Sequence, residues 1–521
     1  MSTPFTLIPG AYNAAVDLVD RHVIQGRGSR PAFTDHNSSL NYFELQARTN
    51  QFANALGRLG IVRENRIVLI MQDTIDLPVA FLGAMKAGVV PIPLNTLLPP
   101  ETWRYMIADS GATAVVITGE LYDQAAHVLD EINRLRRLQV IVVGAPSDHN
   151  VVNFNALLNT CASHFDAVPT HADDTAFWLY SSGSTGMPKG TRHIHSSLMK
   201  TAELYGQNVL GIGPDDVIFS AAKLFFAYGL GNSLSFPLSV GASSILFPGR
   251  PTPESVGKVL KDHNPTILCG APTLFTAMLA RPDIGRGAGS SRLRLTSSAG
   301  EALPEEIGKR WQQIVGTEVI DGIGSTEMLH IFLSNRPGSV RYGTSGKPVP
   351  GYDARIIDDS GADVPVGEIG ELIIRGPTAS DGYWHQREKS RRTFRGEWTY
   401  TGDKYRIAED GNYVYCGRTD DMFKVSGNWV SPFEVESVLI ANAAVLEAAV
   451  VGKMDSDGLM KPKAFLVLKP GYEPSNDLFE TLKTEVKAQA GAWKYPRWME
   501  IRSELPKTAT GKIQRYKLRD E

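Results

Sequence analysis

Tyr180-Ser181-Ser182-Gly183-Ser184-Thr185-Gly186-Met187-Pro188-Lys189-Gly190 is the stretch that decides how the rest of the chain is read. Its glycines free the backbone to curl, its serines and threonine supply hydroxyl donors, and Lys189 adds a fixed positive charge. Exposed N–H groups in such a turn make an anion-binding concavity suited to polyphosphate. A strand-like run over 176–180 leads in, so the pattern predicts a strand followed by a phosphate loop and not a flexible Ser/Gly linker. A Walker loop counted from Gly183 would need glycine at 188 and Ser or Thr after Lys189. Pro188 and Gly190 stand there instead, which disfavours an ordinary P-loop NTPase.

Upstream, apolar runs of strand length alternate with helical patterns. Residues 66–71 (RIVLIM) precede a helical pattern through 79–86, a turn at Ala87-Gly88 and a second apolar run over 89–94. The rhythm repeats with 114–118 (AVVIT), a helix near 125–137 and 139–143 (QVIVV). Continuous apolar strands joined by helices predict largely parallel sheets covered on both faces, a layered α/β architecture. From about residue 343, short alternating segments between Gly-rich turns, such as 370–375 (GELIIR) and 398–405, predict a small β-rich subdomain. Beyond it, a helix over 433–441, strands over 445–451 and 464–468 and a helix over 477–490 predict a compact α+β unit. The expected domains are 1–419, with the β-rich subdomain at about 343–419, and a mobile 420–521, with Asp420 at the boundary.

The chain's 521 residues leave room for three or four units of ~100–200 residues each. Lys and Arg number 53 against 56 Asp and Glu, a net charge of −3. That balance excludes a general polyelectrolyte binder, and nucleic acid is not expected as a partner. Cys161, Cys269 and Cys416 form no CxxC pair, so neither a metal ribbon nor a disulfide framework is expected. The N-terminal residues lack a basic region followed by a long apolar run, and no apolar stretch of about 18 residues occurs. The expected location is the cytoplasm, away from membranes.

Further along stand Ser298-Ala299-Gly300-Glu301-Ala302-Leu303, Gly324-Ser325-Thr326-Glu327, Tyr400-Thr401-Gly402-Asp403, Gly417-Arg418-Thr419-Asp420-Asp421 and Pro506-Lys507-Thr508-Ala509-Thr510-Gly511-Lys512. With the 180–190 loop, and in this order, they resemble the adenylate-forming enzymes: acyl- and aryl-CoA ligases, peptide-synthetase adenylation domains and luciferases. The resemblance covers nearly the whole chain. It implies that Ser181, Ser182, Gly183, Ser184, Thr185 and Lys189 hold the phosphates of ATP, that Thr326 touches phosphate, and that Glu327 holds Mg²⁺. One carboxylate beside a hydroxyl suits Mg²⁺, which keeps waters and shares substrate phosphates. It also implies that Gly300, Glu301, Ala302, Asp321, Gly322 and Ile323 flank the adenine, and that Asp403 and Arg418 bind the ribose. The plainer alternative for the last two is a surface ion pair, which would be worth little.

In the same family, the lysine matching Lys512 enters the site during adenylation, where its charge stabilises the attacked α-phosphate without any protein nucleophile. The same charge makes Lys512 a candidate for regulation by acetylation. No GxSxG or HExxH motif competes with this chemistry. His193 and His195 have no third ligand in view and are expected to be structural. Two half-reactions follow: carboxylate and Mg-ATP give an acyl-adenylate and pyrophosphate, and a thiol then releases AMP. Between them the family rotates its C-terminal domain about the position of Asp420. That brings up the loop 424–429, with Lys424, Ser426, Gly427 and Trp429.

The acid-binding segment of the family falls at 223–231 (KLFFAYGLG). Amino-acid-activating relatives carry aspartate after the phenylalanine there, whereas this chain has Ala227 after Phe226. A buried ammonium would have no partner, which disfavours an amino-acid substrate. Phe226, Ala227, Tyr228 and Gly229, with Ala299, Gly324, His330 and Ile331 as the second wall, suit a flat ring, although such aromatics can also simply fill a core. The pair FFAYGLGNSLSFPLSVGASSILFPGRPT and DGIGSTEMLHIFLSN closely resembles the benzoate:CoA ligase branch. The expected substrate is benzoate or a small substituted benzoate, with His330 facing a ring substituent. A hydroxybenzoate- or aminobenzoate-preferring ligase, and an adenylating enzyme serving a separate carrier protein, are the alternatives. The chain ends soon after Lys512, so free CoA is the expected acceptor, with Trp493 matching a position that stacks on the CoA adenine. Leu459 departs from another such position. A homodimer is compatible with the pattern.

Overall fold

The computed structural model describes residues 10–144, 151–183, 186–425, 428–507 and 513–519. The β-α-β rhythm builds a five-stranded sheet in the order Val90–Pro93, Arg66–Ile70, Ala114–Thr118, Gln139–Val143, Val152–Asn153, parallel throughout. These strands are apolar on both faces because helices cover both faces. Helix Asp76–Lys86 is buried at every residue after its first. It tolerates Lys86 because Asp20 lies 2.7 Å from the ammonium and Asn50 accepts from it at 2.5 Å.

A nine-stranded sheet carries the other half of the large domain. Its order is Lys347–Pro348, Ile331–Ser334, Val319–Gly324, Leu295–Ser298, Ile267–Gly270, Val217–Ser220, Ser243–Ile245, Pro31–Thr34, Ser39–Asn41. The six strands from Val319–Gly324 to Pro31–Thr34 are parallel, and antiparallel pairs close both ends. Three of the parallel strands release the segments 221–226, 299–302 and 325–327 from their C-terminal ends, along one edge of the sheet. Open α/β sheets place ligands at that edge.

The segment 180–190 departs from the loop expected of it. Strands Thr175–Gly183 and Gly186–Ile194 form an antiparallel hairpin whose pairing continues through Ser181↔Lys189 to Gly183↔Gly186. Small side chains let the ladder run further than composition suggests, with a register shift between Ser181 and Gly183.

Strands Asp353–Ile357, Gly370–Arg375, Phe394–Arg395, Trp398–Ile407 and Tyr413–Arg418 make the antiparallel β-rich subdomain. After it come a hairpin, Phe423–Val425 with Asn428–Val430, helix Pro432–Ala441, and helix Asn476–Gln489. The sheet of Val445–Met454, Met460–Leu468 and Trp498–Ile501 completes the unit. Phe423, Val425, Val435, Leu439, Leu466 and Leu482 belong to a core of their own. Among the described residues, no helix is long and apolar enough to cross a membrane.

Candidate active site

Lys189 stands on the second strand of the hairpin, and its ammonium lies 3.0 Å from Glu327 Oε1. It also donates to the Tyr383 hydroxyl at 2.7 Å and sits 3.9 Å from the centre of that ring. Tyr383 in turn donates to Glu327 Oε1 at 2.7 Å. Burial pushes the Glu327 carboxyl up, but the Lys189 charge and the hydrogen bonds from Tyr383 and Lys189 outweigh it and hold the group below the ordinary glutamate value. Glu327 lies in the 3₁₀ turn Thr326–Met328, capped by Ser325 Oγ accepting from the Met328 amide at 3.2 Å. Leu329, directly after it, takes a left-handed φ of 65°, a conformation that β-carbon sterics penalise and that tends to gather at functional sites.

Tyr383 was not predicted from the sequence. It arrives because the segment 381–384 pairs along the hairpin. The Asp381 amide donates to Arg192 O at 2.9 Å, the Arg192 amide to Gly382 O at 3.1 Å, and the Trp384 amide to Gly190 O at 2.8 Å. The Ser380 amide bonds Glu327 O at 2.8 Å. No local periodicity marks a tyrosine placed by backbone pairing with a strand so distant in sequence.

The residues expected around the nucleotide lie on neighbouring segments. Gly300 follows strand Leu295–Ser298 with φ of 95°, and Glu301 and Ala302 behind it are half-buried. Asp321, on strand Val319–Gly324 next to Gly322 and Ile323, is buried, and burial pushes its carboxyl up to about 8. Its Oδ2 accepts from the Leu303 amide at 3.5 Å, while its Oδ1 is buried without a hydrogen-bond partner. Ser181 Oγ is likewise buried and unpartnered. Buried polar atoms normally find partners. Both atoms are therefore open to a polar group of a ligand. Asp403 and Arg418 are cross-strand neighbours whose side chains meet at 3.0 Å, and Arg418 also donates to Thr401 O at 3.0 Å. The carboxylate is buried, so this is not the freely solvated surface pair of the plainer alternative.

The residues expected to bind the acid gather on the same edge. Phe226 caps the short helix Ala227–Leu230, and Tyr228 donates to Ser297 Oγ at 2.9 Å. Gly229 cannot be larger: a β-carbon there would lie 2.0 Å from Lys223 O and 2.5 Å from Ala222 O. His330 is buried against Phe236, Tyr205 and Tyr228, with ring centroids 4.5, 5.3 and 5.5 Å away. Its Nε2 donates to Tyr228 O at 3.2 Å, which leaves Nδ1 as a buried acceptor without a partner. Burial pushes this imidazole down to about 3, so the ring is neutral. A β-carbon on Gly324 would strike His330 O at 2.5 Å. Ala299 and Ile331 are buried on the adjoining strand ends. Asp73, also missed by the sequence reading, accepts from the Leu224 amide at 3.1 Å and so anchors this wall from the five-stranded half. Burial pushes its carboxyl to about 6.

Asp420 lies in the turn after strand Tyr413–Arg418. Beside it, Asp421 is paired with Arg515 at 3.7 Å and with Arg519. Lys424 lies 4.7 Å from the Trp429 ring centre, and Trp429, Trp493 and Leu459 are all exposed. Ser184, Thr185, Ser426, Gly427 and Lys512 lie outside the described residues. His193 and His195 are buried, and burial pushes both down to about 4. Among the described residues no group of three or more His, Cys, Asp or Glu could hold a metal by itself. A cation at Glu327 would have to complete its shell with ligand oxygens and water, as Mg²⁺ does.

Residues 20–384 match the family described as AMP-binding enzyme, and residues 434–512 match the AMP-binding enzyme C-terminal domain. A benzoate–CoA ligase of Thauera aromatica is 54% identical over 518 residues, covering 99% of this chain and 97% of the relative. A 4-hydroxybenzoate–CoA/benzoate–CoA ligase of Rhodopseudomonas palustris is 50% identical over 511 residues, 98% of this chain and 94% of the relative. The crystal structure of a benzoate CoA ligase from Burkholderia xenovorans LB400 superposes with a TM-score of 0.90 at 50% identity. That match covers 98% of this chain and 100% of the other.

Proposed function

The chain belongs to the AMP-binding enzyme family, and from that premise we propose how its residues divide the work of an aryl-CoA ligase. The enzyme is an AMP-forming acid–thiol ligase that uses ATP, Mg²⁺ and CoA. An aromatic carboxylate attacks the α-phosphate of ATP, giving aryl-adenylate and pyrophosphate. The CoA thiol then attacks the acyl carbon and AMP leaves. We place the enzyme in the cytoplasm, beside the pools of ATP and CoA.

The single observation that carries the assignment of the site is the contact of Lys189, Glu327 and Tyr383 at the sheet edge. Lys189 neutralises phosphate charge. Glu327, held ionised, is placed to take a divalent cation beside Thr326. Mg²⁺, when bound, offsets the charge of the phosphates. Asp321 accepts from the adenine amino group, and Asp403 with Arg418 fixes the ribose. Lys512 is assigned the charge at the α-phosphate during adenylation, and Asp420 the pivot between the two half-reactions.

The acid we assign is benzoate or a small substituted benzoate. Its ring would lie between Phe226–Gly229 and the wall of Ala299, Gly324, His330 and Ile331. A ring hydroxyl reaching His330 Nδ1 would satisfy that buried acceptor, which favours 4-hydroxybenzoate as a second substrate, as in the name of the Rhodopseudomonas palustris relative. The test is pyrophosphate and AMP release with Mg-ATP, with and without CoA. The acids would be benzoate, its 2-, 3- and 4-hydroxy and amino analogues, and hexanoate. CoA-dependent turnover on aryl acids, with hexanoate inert, is the expected result. Turnover led by hexanoate would overturn the pocket assignment.

A further inference from the structure

The short helix Arg387–Thr393 is bound to the corner where Lys189, Glu327 and Tyr383 meet. Ser390 Oγ accepts from the Tyr383 amide at 3.0 Å, and Thr393 Oγ1 lies 3.5 Å from the Tyr383 hydroxyl. Residues four apart share one face of a helix, so Lys389 shares a face with Thr393. Lys389 is half-buried and makes no ion pair or side-chain hydrogen bond among the described residues. Part burial and the charges of Lys189 and Arg392 hold its ammonium below the ordinary lysine value, with Glu327 acting the other way. Glu388, its chain neighbour, is exposed. Lys189 and Lys389 thus act on one another beside Glu327, and Arg392 adds a third positive charge to the field at Lys389.

A partly desolvated cation with an excess of like charge around it gains from a ligand that supplies an anion. We propose that Lys389 is a second cationic contact, opposite Lys189, for the β,γ end of ATP and for the pyrophosphate that leaves. This rests on the ligase assignment made above and adds to it a residue that recognises the polyphosphate and not the nucleoside.

The test is calorimetric titration of wild type, Lys389→Gln and Lys389→Arg with inorganic pyrophosphate, ATP and AMP, each with Mg²⁺ and without aryl acid. Lys389→Gln is expected to bind pyrophosphate and ATP roughly 10-fold more weakly while AMP stays within about 2-fold, the scale of one lost charge-assisted contact. Lys389→Arg should recover most of the loss. In turnover, product inhibition by pyrophosphate should weaken by the same factor in the glutamine variant. Wild-type affinity of Lys389→Gln for pyrophosphate, or a loss of AMP affinity in step with ATP, overturns the proposal and leaves the ligase assignment standing. A wild-type enzyme that binds neither ATP nor AMP would overturn both.

Discussion

Replacing Gly229 with alanine tests the proposed acid-binding wall directly. The new β-carbon would lie 2.0 Å from Lys223 O and 2.5 Å from Ala222 O, both backbone atoms that cannot swing aside. Ordinary contact begins near 3.4 Å, so the helix Ala227–Leu230 must withdraw by more than an ångström from the segment it covers. Tyr228 sits on that helix, and its 2.9 Å bond to Ser297 would stretch with it. Overpacking of this kind costs about 1–3 kcal/mol. If about 2 kcal/mol of it is felt at the aryl site, kcat/KM for benzoate falls roughly 30-fold, at about 1.4 kcal/mol per decade. The assay is continuous pyrophosphate release at varied benzoate and at varied ATP. KM for ATP should stay within about 2-fold, because Lys189, Asp321 and Asp403 hang from other segments. Gly257→Ala is the control: it lies in helix Pro253–His263 with nothing within 4 Å of the added carbon, and it should be neutral or slightly stabilising. Unchanged benzoate kinetics, or parallel losses for benzoate and ATP, would refute the placement of this wall.

Other outcomes follow from the same geometry. In a double-mutant cycle, Lys189→Met and Glu327→Gln should couple by about 1–3 kcal/mol in thermal stability, because either change alone strands the other buried group; additivity would show that the pair does not interact. Asp321 carries a proton in the folded chain up to about pH 8, against an ordinary value of 3.8. Its contribution to stability is therefore complete below about pH 4 and lost as the pH rises to about 8. Asp321→Asn should melt progressively higher than wild type as melts are taken from pH 5 to pH 8, and a pH-independent difference would contradict the burial argument. Asp420→Pro should spare pyrophosphate formation and slow thioester formation; equal loss of both steps would remove Asp420 from the role of pivot.

What could be read from sequence depended on whether the signal was local. Strands Ala114–Thr118, Gln139–Val143 and Gly370–Arg375 coincide with the apolar runs that announced them, because a buried strand writes its burial into consecutive residues. The hairpin at 175–194 is half legible: its apolar lead-in marks a strand, but Gly and Ser carry no strand signal, so the sequence beyond Tyr180 reads as a loop where the ladder continues. Tyr383 and Asp73 were silent. Each reaches the site through backbone pairing or a single amide contact made by the fold, and neither has a neighbour pattern that would single it out. Lys389 is silent for a different reason, since its basic surroundings look like any solvated helix face until the fold brings that helix against Tyr383.

The place of strand Pro31–Thr34, one in from the sheet edge, has a consequence for how the protein is made. It lies between Ser39–Asn41 and Ser243–Ile245, pairing in parallel with the latter across about 200 residues of chain. At ~5–20 residues per second, a ribosome needs roughly 10–40 s after emitting the first of these partners before the second emerges. Throughout that interval Ala32 and Phe33, fully buried in the finished protein, belong to an unfinished sheet with an open edge. Nascent chains should therefore be most prone to aggregate, and most dependent on chaperones, before the segment around Ser243 leaves the exit tunnel. Slowing translation upstream of that point would lengthen the exposure, whereas slowing it beyond would not.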